Sequence, residues 1–209
     1  MHCISCKYIV LYMHMTDFKT AVCNALSHDV WNDSDAQLTI HSQDSSIFKR
    51  EPTGVIYPRS VDDVKITVKL ASEHGVTLSV RAGGTCMSGG SLTDGYILNL
   101  TKHITGIHVN AYSKSAEVEM GAYYRDLEKE LIKHNLMFAA YPSSKDICGL
   151  GGMIGNNTSG EKSVRHGGTL DNVYSVDVVL RDGELYTFEE MHDDAFKKLT
   201  KEKTVLGNI

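Results

Sequence analysis

The stretch Arg81-Ala82-Gly83-Gly84-Thr85-Cys86-Met87-Ser88-Gly89-Gly90-Ser91 constrains this chain more than any other. It follows Val76-Thr77-Leu78-Ser79-Val80 and precedes Tyr96-Ile97-Leu98-Asn99-Leu100, two apolar or β-branched runs that read as strands. The loop is therefore held at both ends. Its glycines and hydroxyl side chains let the backbone reach positive φ and aim several N–H groups at one point. Such a concave nest of amides binds an anion, typically a phosphate or pyrophosphate. The plainer alternative is a glycine-rich turn between two strands.

A second stretch, Cys148-Gly149-Leu150-Gly151-Gly152-Met153-Ile154-Gly155-Asn156-Asn157-Thr158-Ser159-Gly160, has the same character. Two such loops in one chain suggest a long ligand gripped at two places. No glycine is followed by Lys-Ser or Lys-Thr as a P-loop requires, and Ile154 breaks the dinucleotide spacing begun by Gly149 and Gly151. The asparagines Asn156 and Asn157 can offer side-chain hydrogen bonds to a ligand or simply make a turn.

Arg81 to Ser91, Gly151 to Asn157, Ser159-Gly160 and Arg165-His166-Gly167 together resemble the FAD-binding domain of the p-cresol methylhydroxylase and vanillyl-alcohol oxidase superfamily. Within it, the pattern is similar to the glycolate oxidase flavin subunit and D-lactate dehydrogenase type. The likeness runs in order from about Ser42 to Phe188. It implies an α+β fold, two small α/β subdomains clasping an extended FAD. It further implies a cofactor site of Arg81, Ala82, Gly83, Gly84, Thr85, Cys86, Met87, Ser88 and Gly89 from the first loop. Pro142, Ser143, Cys148, Gly151, Gly152, Gly155, Asn156, Asn157, Ser159, Gly160 and Val173 would complete it. Some members join flavin covalently to a histidine at the position of Thr85; threonine cannot do so, and non-covalent FAD is expected. Members usually carry Tyr where this chain has His166. Lys162, Arg165 and His166 could meet phosphate or a substrate carboxylate, although exposed basic side chains are more often only solvated.

The expected organisation is a helical and loop lead-in over 1–46 and the FAD-binding domain over 47–209, divided into about 47–103 and 104–209. Thr16 and Asp17 open a weak helical pattern over 16–28, and the polar 31–46 reads as a loop. Gly54 to Pro58 reads as a short strand. Ser60 and Asp63 form a capping box before a helix whose face is Val61, Val64, Val68 and Ala71 and whose end is Gly75. Strands follow at 104–109 and 116–120. A helix from about Tyr123 to Asn135 presents Tyr124, Leu127 and Leu131. A hairpin folds 172–182 onto 184–188, and 189–203 is helix-compatible.

The formal net charge of −5, without a Lys/Arg cluster, argues against a nucleic-acid surface. An acidic protein must hold an anionic cofactor with local amides rather than its overall field. Five cysteines with no framework spacing suggest a reduced, cytoplasmic setting; the complete enzyme could be peripheral to a membrane. Cys3 and Cys6 lack a second ligand pair for a structural metal. Tyr8 to Tyr12 is too short to span a bilayer. The acidic residues of 31–46 lack the glycine and later glutamate of a calcium loop.

By resemblance, the complete enzyme oxidises a 2-hydroxy acid of the D-lactate or glycolate type by hydride transfer to flavin N5. Members of the family continue into a substrate-binding cap that this chain lacks, so no catalytic residue can be assigned. A separate chain or a missing C-terminal region would supply the cap. The alternative is a non-catalytic flavin-binding subunit, or an inactive fragment that needs a cap-bearing partner. The NADPH-dependent reductase of cell-wall precursor synthesis shares the fold, but its serine-bearing region is not evident.

Overall fold

The structure is a computed structural model that describes residues 18–202. The readings placed on Cys3, Cys6, Tyr8 to Tyr12, Thr16 and Asp17 lie outside the described residues. In chain order the elements are a helix over 18–26 (α1), β1 (Trp31–Asn32), α2 (Asp35–His41), β2 (Gly54–Ile56), α3 (Val61–Glu73), β3 (Leu78–Arg81), β4 (Tyr96–Asn99), β5 (Ile107–Asn110), β6 (Ser115–Val118), α4 (Tyr124–Ile132), α5 (Leu150–Gly155), α6 (Ser163–His166), β7 (Ser175–Val179), β8 (Leu185–Glu189) and α7 (Asp193–Leu199). They form two compact units, one from 18–31, 61–76 and 174–202, the other from Asn32–Ser60 and Thr77–Val173.

In the first unit α1 buries Phe18, Val22, Cys23 and Leu26, the spacing of one helical face. The Phe18 ring meets Trp31 and His74 edge-on, at centroid distances of 6.1 and 5.8 Å. At the end of α3, Gly75 sits at φ +61 and the Val76 N–H bonds the Ala71 carbonyl at 3.0 Å. This is the glycine-closed helix end expected from the sequence. Of the expected face of α3, Ala71 is buried and Val64 and Val68 are half-buried; the departures are Val61, which is exposed, and Thr67, which is buried. Thr67 tolerates burial because its hydroxyl donates to the Asp63 carbonyl at 2.7 Å. The β7–β8 hairpin pairs Ser175 with Glu189 and Val179 with Leu185, and Gly183 at φ +78 turns it, as the sequence predicts.

In the second unit the parallel strands β2, β4 and β3 lie side by side with β4 between the others. Every residue of Tyr96–Asn99 is buried, as a central parallel strand requires. The antiparallel pair β5–β6 is joined by a turn in which Asn110 Oδ1 accepts from the Tyr112 and Ser113 N–H groups. Tyr124, Leu127 and Leu131 of α4 are buried with Ala122, Cys148, Leu150 and Met153 in one apolar core. That core carries the start of the second glycine-rich stretch.

Two local expectations fail in this unit. Residues 31–46, expected as a loop, contain α2. Its polar leader is a helix start: Asn32 Oδ1 accepts from the Ser34 N–H at 3.1 Å, and Asp35 occupies the first turn. At the end of this helix His41 and Ser42 are buried. Residues 150–155, expected as loop, form the short helix α5, because burial of Leu150 and Met153 outweighs the poor helix propensity of glycine.

Candidate functional site

The first glycine-rich loop leaves β3 at Arg81 and returns to β4. Among the described residues, no acceptor takes a hydrogen bond from the N–H groups of Ala82 through Met87. Leaving a run of N–H groups unpaired costs free energy unless solvent or a ligand meets them. Gly84 and Gly89 have φ of +68 and +76, left-handed values that glycine adopts without steric cost. A bend of this kind turns successive N–H groups toward a common side.

Beneath the loop lies a buried polar framework that the sequence reading missed. Arg81 is 9% exposed; its Nη1 donates to the His41 carbonyl at 3.4 Å and its guanidinium lies against Gly84. Burial lowers the Arg81 pKa, and the charge of Asp44 opposes that shift, with Tyr57 and Tyr123 acting in the same sense. The Ser45 N–H donates to the Gly84 carbonyl at 3.2 Å, and the Ser91 hydroxyl donates to Asp44 Oδ2 at 3.3 Å. The loop is thus tied to the segment after α2. Only the polarity of Asp44 hinted at this.

The second stretch abuts the first. A Cβ on Gly83 would collide with the Ile147 carbonyl oxygen and come within 3.3 Å of the Gly149 nitrogen. A Cβ on Gly149 would lie 2.6 Å from that of Ala82. Gly151 packs on the Met120 carbonyl, and Gly160 leaves no room beside the Tyr141 carbonyl. By contrast, a Cβ on Gly152 or Gly155 would meet nothing within 4 Å. These two exposed positions on α5 leave a bare backbone surface in the same unit as the N–H nest.

The remaining sequence-predicted residues are variously placed. Cys148 turns its side chain into the core, so only its main chain borders the loops. Asn157 is left-handed at φ +42, and its Oδ1 accepts the Leu170 N–H at 3.1 Å, a bond that fixes the amide orientation and does not use the amide nitrogen. Asn156, Ser143 and Ser159 are exposed, Pro142 is half-buried, and Val173 is half-buried after a short 3-10 helix. Arg165 and His166 are exposed, while Lys162 Nζ lies 5.2 Å from the Tyr141 ring centroid.

The thiols divide sharply. The Ser88 hydroxyl, 3.2 Å from Cys86 Sγ, and the Ser88 and Gly90 N–H groups hold the Cys86 thiol below its ordinary range, against partial burial. Burial pushes the Cys148 thiol up to about 11, and Cys23 is also buried. Among these three, iodoacetamide near neutral pH is expected to label Cys86 first. Saturating FAD should slow that labelling severalfold, measured by peptide mass spectrometry; unchanged labelling would place the cofactor elsewhere.

Residues 52–189 match the family model described as an FAD binding domain, and the chain belongs to that family. FAD is its cofactor. Similar curated proteins include the D-2-hydroxyglutarate dehydrogenase of Pseudomonas putida, 35% identical over 153 residues that cover 71% of this chain and 15% of that protein. The glycolate oxidase subunit GlcD of Bacillus subtilis is 29% identical over 172 residues, 81% of this chain and 37% of that subunit. Both spans are well under half of the relatives' lengths. Among solved structures, an alkyldihydroxyacetonephosphate synthase superposes with a TM-score of 0.75 at 21% identity, covering 84% of this chain and 38% of that one. The glucose dehydrogenase Phl p 4.0202 superposes with a TM-score of 0.72 at 22% identity, over 85% of this chain and 39% of that one. The fold is that of the p-cresol methylhydroxylase type, as the sequence resemblance implied.

Proposed function

We propose that this chain is the FAD-binding portion of a flavin-dependent oxidoreductase that oxidises a 2-hydroxy acid. The observation that carries the cofactor part is the run of unbonded N–H groups from Ala82 to Met87, set in one unit with the open Gly152 and Gly155 backbone. A dinucleotide needs just these features: donors for pyrophosphate and a surface without Cβ atoms for close approach. Ala82 to Met87 would hold the pyrophosphate, and the bare face of α5 with the Asn157 amide would bear on the rest of the cofactor. Pro142, Ser143, Ser159, Gly160 and Val173 complete this proposed lining.

FAD supplies the redox chemistry when bound, as the acceptor of hydride from the substrate α-carbon. The protein's part is to bind and orient it. By the family resemblance, Thr85 stands where some members carry a flavin-linking histidine, and a threonine there supports non-covalent attachment. The 2-hydroxy acid assignment rests on the names of the relatives, D-2-hydroxyglutarate dehydrogenase and glycolate oxidase subunit. Substrate-handling groups come from protein beyond this chain, either the same polypeptide or a separate cap-bearing partner. The setting is cytoplasmic, a reading supported by the cysteine usage. Among the described residues no helix is long and apolar enough to cross a membrane.

Gly152→Ala separates ligand from scaffold. A Cβ there meets no protein atom, so the apo chain should be as stable as wild type or more so, by up to ~1 kcal/mol of helix propensity. FAD affinity should nonetheless fall about tenfold, an order-of-magnitude figure for steric crowding of a close backbone contact. Thermal melts and flavin fluorescence titrations report the two quantities. An unaltered affinity would remove α5 from the cofactor surface.

A further inference from the structure

We propose that His41 and Asn99 are positioning residues for FAD: their hydrogen bond pins the segment that holds the first glycine-rich loop in its binding shape. This rests on the proposed function above, and neither residue lies in the stretches that suggested it.

His41 Nδ1 lies 2.9 Å from the Gln37 carbonyl, which can only accept, so Nδ1 carries the proton. Its Nε2 is then an acceptor, and Asn99 Nδ2 donates to it at 2.9 Å. The amide cannot turn round without loss, because Asn99 Oδ1 already accepts from the Thr101 N–H and hydroxyl at 2.9 and 2.8 Å. Every polar atom of the pair is therefore committed to one tautomer and one orientation. Asn99 ends β4, directly across from Arg81 in register.

From this anchor the chain reaches the loop at several points. The His41 carbonyl receives Arg81 Nη1, whose guanidinium packs against Gly84. Asp44 receives the Ser91 hydroxyl and the Ser46 N–H, and the Ser45 N–H holds the Gly84 carbonyl. Gly84 and Ser91 bracket most of the N–H nest. Releasing His41 from β4 loosens both ends of the bracket at once.

The neutral imidazole is essential to this arrangement. A proton on Nε2 would face the Asn99 amide hydrogens, and the imidazolium would add to the Arg81 charge. The groups facing His41 are Gln37 on its own helix, Arg81 on β3, Asn99 on β4 and Tyr57 after β2, with Lys102 over the Tyr57 ring and Asp44 and Tyr123 acting on Arg81. Burial first, and Arg81 in addition, lower the His41 pKa below its ordinary 6.5, against the Gln37 hydrogen bond. A loosened loop returns His41 toward that ordinary value and takes up a proton more readily than the ordered loop. Order, and with it FAD affinity, is thus constant above about pH 6.5 and falls as pH drops below it, by at most about tenfold per pH unit.

The test is FAD affinity of the full chain by flavin fluorescence at pH 7.5 and 5.5, with circular dichroism to confirm folding. Wild type should bind at pH 7.5 and weaken up to about tenfold at pH 5.5. Asn99→Leu and His41→Leu should bind about tenfold or more weakly than wild type at pH 7.5. His41→Gln, whose Oε1 can accept from Asn99 without titrating, should recover most of the affinity at pH 7.5 and lose the acid dependence. Wild-type affinity in folded Asn99→Leu, or an unchanged acid dependence in His41→Gln, would overturn the inference while leaving the cofactor assignment intact. Absence of FAD binding by folded wild type at pH 7.5 would overturn both. If Asn99→Leu does not fold, the His41→Gln pH comparison decides.

Discussion

Gly83→Val is expected to abolish measurable FAD retention. The Cβ would strike the Ile147 carbonyl oxygen and crowd the Gly149 nitrogen, both main-chain atoms that cannot swing aside as a flexible side chain would. Relief requires the two glycine-rich stretches to part. Overpacking of this kind costs about 1–3 kcal/mol in stability, which a domain with the usual ~5–15 kcal/mol can survive. The separation should instead fall on the ligand: an affinity loss of about a hundredfold or more corresponds to ~2.7 kcal/mol. Titration of the folded variant with FAD checks this. Near wild-type affinity would mean that the junction of the stretches is irrelevant to the cofactor.

Gly84→Val is the second large effect, and its cause lies partly beneath the loop. At φ +68 a β-branched residue carries a steric cost of about 1–2 kcal/mol. The new Cβ would also sit 2.8 Å from Arg81 Cζ and drive the guanidinium from its place. The N–H nest would then lose its curvature and the charge of Arg81 its fixed position. Severe loss of FAD binding with retained folding is expected. Arg81→Met in the same background discriminates the two causes: if displaced guanidinium dominates, removing it should restore part of the affinity lost by Gly84→Val. No recovery would assign the whole effect to backbone geometry.

Much of the second unit's framework is legible in the sequence because it rests on local rules. The apolar run Tyr96 to Leu98 gives a buried parallel strand, and Tyr124, Leu127 and Leu131 recur at helical spacing and are buried together. In the first unit Gly75 and Gly183 stop a helix and turn a hairpin at left-handed φ. What escaped the sequence reading depends on partners distant in the chain. The Asn99–His41 bond spans 58 positions and the Arg81–His41 bond 40, and no local pattern announces either. The helix α2 hid behind a polar run in which Asn32 closes a side-chain turn on the Ser34 N–H, a feature of loops and of helix starts alike. Thr67 escaped because a hydroxyl that bonds its own helix behaves as a core residue. Most of the candidate cofactor residues stand in two glycine-rich stretches that the sequence displays, whereas Pro142, Ser143 and Val173 lie outside both and entered only through the family resemblance. The adjacency of the two stretches, through Gly83 and Gly149, required the fold.

The central claim is that the paired stretches hold FAD without a covalent bond. It is tested most directly by the visible absorption spectrum of the purified chain after FAD addition and desalting, followed by acid precipitation. A retained flavin spectrum in wild type, lost in folded Gly83→Val and released to the supernatant by acid, is the expected result. A folded wild-type chain without flavin, or pigment that stays with the acid pellet, would contradict it.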